Sequence, residues 1–255
     1  MARKTSSQLR APFLKSVRFE LSLAPQPRAY PFDLAWLKDD FELRFETPIT
    51  ILVGENGTGK STLIEALASL AGFDEAGGGP GYRPVDHSAA VERNGGALGA
   101  AMRAAWLPMV KTGWFFKAES FFAVARYLDQ AAIDAAAAPP DFLSHSHGEG
   151  FVRFFEERLS RRGIYFFDEP ESALSPSRQI EFLRIIDRMA RGGEAQAIMA
   201  THSPLLMALP GATLLHLTRG AIAPTRLDEI EHFRLMREFC ADPDGFVRER
   251  LAYED

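Results

Sequence analysis

Apolar residues recur at every second position early in the chain. Phe13-Leu14-Lys15-Ser16-Val17-Arg18-Phe19-Glu20-Leu21 alternates well enough for a half-exposed strand, and Phe41-Glu42-Leu43-Arg44-Phe45-Glu46 alternates again. Pro25, Pro27 and Pro31 break the pattern, so 24–31 reads as a loop. Alternation then gives way to the unbroken, β-branched run Ile49–Val53, the pattern of a strand covered on both faces. A glycine-rich turn follows, and a helical pattern runs from Ser61 to about Leu70. Three further buried runs come later: Ile164–Phe167, Ala195–Ala200 and Thr213–Thr218. A helix from Ser175-Pro176 to about Arg191, ended by Gly192-Gly193, separates the first two. Buried strands alternating with helices predict an α/β fold with a mostly parallel central sheet, and the short alternating strands predict an N-terminal antiparallel β layer against it.

The middle of the chain is less periodic. Gly72–Gly99 reads as a long loop or mobile insertion. Trp114–Glu119 suggests a strand, a helix runs from Ser120 through Ala131–Ala138 until Pro139-Pro140, and Phe151 to about Arg162 is an amphipathic helix. The expected organisation is one domain over 1–255. Its core is 11–71 and 163–220, with an inserted loop and helical subdomain at 72–162 and C-terminal helices at 221–255. In that tail Ile230, Phe233, Leu235, Met236 and Phe239 share a helical face expected to pack on the core.

Composition narrows the classes. A net charge of −5 and a pI near 5.8 give no global basic footprint of a dedicated nucleic-acid binder. Arg153, Arg158, Arg161 and Arg162 form a local basic run, which reads as a solvated helix face unless something engages it. The one cysteine, Cys240, excludes an intrachain disulfide and fits a reducing compartment. No stretch approaches the ~20 apolar residues of a membrane span, and the basic N-terminus lacks an apolar signal region. A cytoplasmic location is expected, with membranes reached only through a partner.

The chemistry starts at Gly54-Glu55-Asn56-Gly57-Thr58-Gly59-Lys60-Ser61-Thr62, G-x-x-x-x-G-K-[ST] between strand and helix. Such a loop wraps backbone N–H groups around a polyphosphate, with the positive end of a helix behind it. Lys60 supplies a charge for the β- and γ-phosphates and Ser61 a hydroxyl for Mg2+. The run Ile164–Phe167 ends in Asp168-Glu169, acids at a strand's C-terminal edge, where α/β sheets bind ligands. Asp168 there would fix Mg2+, and Glu169 would orient or deprotonate the attacking water. His202, in the turn after Ala195–Ala200, hydrogen-bonds a γ-phosphate, holds the water or caps a helix. Tyr30, Phe32 and Trp36 either stack on adenine or pack beneath the β layer.

In this order the motifs resemble those of the ABC-type ATPases over roughly residues 13–220. Gly54–Thr62 is similar to Walker A, Ile164–Asp168 with Glu169 to Walker B and the catalytic glutamate. Ser172-Ala173-Leu174-Ser175-Pro176 is similar to the D-loop, and His202 to the switch histidine. Ser146-His147-Gly148-Glu149 stands where the family's Ser-Gly-Gly-Gln signature falls. More narrowly the chain resembles standalone bacterial ATPases labelled AAA, related in architecture to SMC-like head domains. The resemblance implies a P-loop NTPase fold and ATP hydrolysis with Mg2+ on Gly54, Asn56, Gly57, Thr58, Gly59, Lys60, Ser61, Thr62 and Asp168. It also implies an ATP-dependent homodimer in which Ser146 and Gly148 of a second copy cover the nucleotide. Protein effectors and nucleic acid are the partners such a switch serves; a transporter subunit and a non-hydrolysing sensor are the alternatives. His147, Glu149 and Ser175 depart from the family pattern, and no glutamine lies between Ser61 and Asp129 for the Q-loop, where Glu119 is the candidate substitute.

Overall fold

The computed structural model describes residues 9–81, 94–134, 147–159 and 161–251. Its strands are β1 (Leu14–Phe19), β2 (Glu42–Arg44), β3 (Ile49–Val53), β4 (Met102–Trp106), β5 (Gly113–Lys117), β6 (Gly163–Asp168), β7 (Ala195–Ala200), β8 (Thr213–Leu217) and β9 (Ile222–Thr225). Its helices are α1 (Lys60–Leu70), α2 (Asn94–Ala100), α3 (Phe121–Asp134), α4 (His147–Arg158), α5 (Pro176–Gly192), α6 (Pro204–Met207), α7 (Glu231–Ala241) and α8 (Pro243–Leu251).

The strands form two sheets. The larger runs β5-β6-β7-β3-β8-β9, parallel except for the β8–β9 hairpin, and the smaller is antiparallel in the order β2-β1-β4. The expected mostly parallel sheet and antiparallel layer are both present. Every residue of β3, β6 and β7 is buried, which accounts for their unbroken apolar runs. Alternation still decides which core each side chain enters. Tyr165 and Phe167 of β6 point to one face and join Phe116, Phe155 and Phe182. Ile164 and Phe166 point to the other and join Leu63 and Leu67 of α1 with Leu14 and Val17 of β1. On the first face the Phe155 ring lies 4.9 Å from that of Phe116 and 4.6 Å from that of Phe182. Such pairs contribute about 0.5–1.5 kcal/mol each beyond their buried area.

A buried amide links β7 of the larger sheet to the start of β1. Gln196 of β7 is fully buried, its Oε1 accepts from the N–H of Phe13 and of Leu14 at 2.8 Å each, and its Nε2 donates to Leu14 O at 3.1 Å. The side chain thereby satisfies backbone groups that a neighbouring strand would otherwise pair.

Three expectations need correction. The stretch 72–162 is not wholly inserted: β4 completes the antiparallel layer and β5 is an edge strand of the larger sheet. Within Gly72–Gly99, residues Asn94–Ala100 form α2, which lies on α1. The glycines that argued for a loop are what permit the contact, since a Cβ at Gly95 would stand 2.2 Å from Glu65 Cβ. Finally, the tail helices pack less than expected. Ile230 is buried and Phe233 partly so, but Leu235, Met236 and Phe239 are exposed, because α7 leans on α8 and the short α6 instead of on the sheet.

Candidate functional site

Gly54 ends β3 with φ +150°, and a Cβ there would lie 2.2 Å from Leu217 O, so the loop can leave the sheet only through glycine. The turn is braced from inside: Thr58 Oγ1 donates to Glu55 O at 2.8 Å, and Trp36 Nε1 donates to Thr58 O at 2.8 Å. Gly59, with φ +91°, caps α1 in the left-handed region. Lys60 is folded back over the loop, its Nζ donating to Gly54 O at 2.8 Å and Glu55 O at 2.9 Å. Burial lowers its pKa, with Glu169 and Asp168 pulling the other way.

Parallel pairing brings the remaining groups to the same edge. Asp168 is the register partner of Ala200, and Ala200 of Leu52, so the ends of β6, β7 and β3 align. Ser61 Oγ donates to Asp168 Oδ1 at 3.1 Å. Asp168 is pushed up to about 7 by burial, against the pull of the Lys117 ammonium and the Ser61 hydroxyl. Glu169 takes φ +48°, the one non-glycine residue among those described with positive φ. That conformation costs about 1–2 kcal/mol and turns its carboxylate out of the strand into solvent. His202 Nε2 lies 3.8 Å from Glu169 Oε1, beyond hydrogen-bond range, and is buried without a partner. Burial, then the charge of Lys60, lowers the His202 pKa, so its ring is neutral at pH 7.

Ser61, Lys117, Glu119, Asp168, Glu169 and Ser172 line one cleft of about 390 Å3 beside the loop. A second, of about 310 Å3, opens on the loop's other side between Asn56, His202, His216 and His232. The donor set fits a nucleotide with Mg2+. A hydroxyl and a carboxylate within 3.1 Å are the hard oxygen ligands magnesium takes, and the orphaned Nε2 of His202 points to a polar partner.

Lys60, Ser61, Thr62, Asp168, Glu169 and His202 are thus brought together. Ser146 lies outside the described residues. Gly148 stands in the first turn of α4, which begins at His147, four residues before the expected start. Of the aromatics, Phe32 and Trp36 are buried in the core beneath the β layer. Tyr30 is half exposed, its hydroxyl bonded to that of Thr62.

Two residues escaped the sequence reading. Glu171 Oε1 accepts the His202 backbone N–H at 2.5 Å, and its Oε2 is buried without a partner. Lys117 sits opposite Asp168 in the β5–β6 register, its Nζ 2.6 Å from Glu65 Oε1. Burial raises the Glu65 pKa; it also works against the Lys117 charge, but Glu65 overcomes it and the Lys117 pKa rises. Lys117's place at the end of the strand before Glu119 was the one available signal.

Strand order, phosphate loop and paired acids define a P-loop nucleotide-binding domain. Comparison with known proteins adds likenesses in sequence and in fold. Residues 31–97 match the family described as "AAA domain", and residues 135–208 the one described as "AAA domain, putative AbiEii toxin, Type IV TA system". A curated relative, "Probable amino-acid ABC transporter ATP-binding protein y4tH" of Sinorhizobium fredii (strain NBRC 101917 / NGR234), is 27% identical over 190 residues, 64% of this chain and 72% of its own. A solved structure, "An inward-facing conformation of a putative metal-chelate type ABC transporter", is 18% identical over 85% of this chain and 84% of that one, with a TM-score of 0.44. In its motifs and these sequence matches the chain is similar to ABC-type and AAA-labelled ATPase domains. Among the described residues no helix is long and apolar enough to cross a membrane.

Proposed function

We propose that this chain binds ATP with Mg2+ and hydrolyses it as one half of an ATP-driven dimer, serving nucleic-acid maintenance or phage defence with a protein partner. The observation that supports this best is the convergence of Ser61, Asp168, Glu169 and His202 at the ends of three adjacent strands around the loop. Lys60 leaves the Gly54 and Glu55 carbonyls for phosphate oxygens. The N–H groups of Asn56 to Thr62 and the positive end of α1 hold the rest of the polyphosphate. Tyr30 is the aromatic left accessible for the purine. Ser61 and Asp168 would hold Mg2+, which would supply positive charge to the phosphate oxygens. Glu169 accepts a proton from the attacking water, and neutral His202 donates Nε2–H to the γ-phosphate. Ser146 and Gly148 of a second copy close the site.

Glu169→Gln tests this reading. ATP binding should be retained, turnover should fall about 100-fold or more, and a dimer should accumulate with ATP in light scattering. Unchanged hydrolysis removes Glu169 as the base. The curated relative's printed name favours a second reading, the ATP-binding subunit of a transporter. Co-purification of Glu169→Gln with an integral membrane protein separates the two.

A further inference from the structure

We propose a second anion site at the edge of the sheet opposite the phosphate loop, formed by Arg158, Arg161 and Arg162 and suited to the backbone phosphates of a nucleic acid. It adds a contact surface to the nucleic-acid part of the function proposed above. β5 and β6 begin at Gly113 and Gly163, so this edge lies a strand's length, about 17 Å, from Lys117 and Asp168. α4 ends at Arg158, and Arg161 and Arg162 occupy the turn into β6. With Thr112, Trp114 and Tyr165, Arg158 and Arg161 line a cleft of about 370 Å3.

The arginines are held ready but, among the described residues, make no ion pair. The Arg158 guanidinium lies 5.2 Å from the centre of the Trp114 ring, and that of Arg162 lies 4.6 Å from Phe13. Arg162 Nη2 also donates to Leu9 O at 2.6 Å. Elsewhere arginines find acids: Arg44 and Glu42 at 3.0 Å, Arg178 and Glu181 at 2.6 Å, Arg191 and Asp187 at 2.9 Å. Among the described residues no carboxylate lies within ion-pair distance of Arg158, Arg161 or Arg162. Glu157 borders the cleft, but its carboxylate accepts from Arg153 Nε at 3.2 Å. Arg158 Nε is buried and has no acceptor. Burial lowers the Arg158 pKa; the Glu157 carboxylate pulls the other way, and the neighbouring Arg161 charge adds to the lowering. An oxyanion accepting from Arg158 relieves both costs, and planar guanidinium donors match phosphate oxygens. Arg158 and Arg162 are stacked on different rings and so offer separate contacts, which suits successive phosphates better than one small anion. Lys111, adjacent in the chain to the cleft-lining Thr112, is also exposed.

The test is fluorescence anisotropy of a labelled duplex of about 20 base pairs with the full chain, from about 50 to 150 mM salt, with inorganic phosphate as a separate probe. Arg161→Glu, an exposed position, and Arg158→Gln should each weaken duplex binding about tenfold or more and lower the salt slope by about one. ATP affinity should not change in either. Lys60→Ala should lose ATP and keep the duplex, so failure at this edge and failure of the ATPase reading give different patterns. The proposal is overturned if the native chain does not bind the duplex at tens of micromolar, if Arg161→Glu binds it equally well, or if inorganic phosphate binds the edge and the duplex does not.

Discussion

Asp168→Asn should make the metal-free protein more stable at neutral and alkaline pH. The buried carboxylate has its proton affinity raised from the ordinary 3.8 to about 7, chiefly by burial. In the folded chain it therefore holds a proton that the unfolded chain has already released. Between these two values the folded state binds more protons, so stability falls as pH rises, and the loss is complete above about pH 7. Three decades of proton affinity correspond to about 4 kcal/mol, of which about 2.5 kcal/mol develops between pH 5 and 8. Asparagine keeps an oxygen for the Ser61 hydroxyl and has no charge to bury. Urea unfolding in excess chelator at pH 5 and pH 8 should show the variant's advantage growing by about 2–3 kcal/mol across that range. Added Mg2+ with ATP should stabilise the native chain far more than the variant. An advantage that is the same at both pH values, or no advantage at pH 8, would refute burial of the carboxylate as the origin of the shift.

Glu171→Gln keeps an acceptor for the His202 N–H, whereas Glu171→Ala removes it; steady-state kinetics should show kcat falling about tenfold or more in the alanine variant, KM for ATP moving little, and glutamine restoring part of the rate. Lys117→Met and Glu65→Gln each remove one half of a buried ion pair and should cost about 3–5 kcal/mol by denaturant unfolding; the double variant should cost clearly less than the two together, and strict additivity would argue against a coupled pair.

The fold was legible where burial and period agreed. β3, β6 and β7 are covered on both faces, and their uninterrupted apolar runs say so. α2 was illegible because Asn94-Gly95-Gly96-Ala97-Leu98-Gly99-Ala100 opposes helix propensity and is held as a helix by its approach to α1. β4 was missed because Ala104 and Ala105 blunt the alternation. At the site, groups carried by a contiguous motif were readable in order. Glu171 and Lys117 act through partners 31 and 52 residues away, His202 and Glu65, and only pairing of the strands shows those distances closing.

Gln196 gives β7 a double duty. The strand that ends beside His202 is also the strand to which the antiparallel layer is stitched at Phe13 and Leu14. That layer packs with the segment bearing Phe32 and Trp36, and Trp36 grips the phosphate loop at Thr58. The Trp36 side and the His202 side of the loop therefore share one spar, with the amide of residue 196 as its rivet. Exchanging that amide for an apolar side chain would leave the N–H groups of Phe13 and Leu14 without acceptors and let the two flanks shift independently.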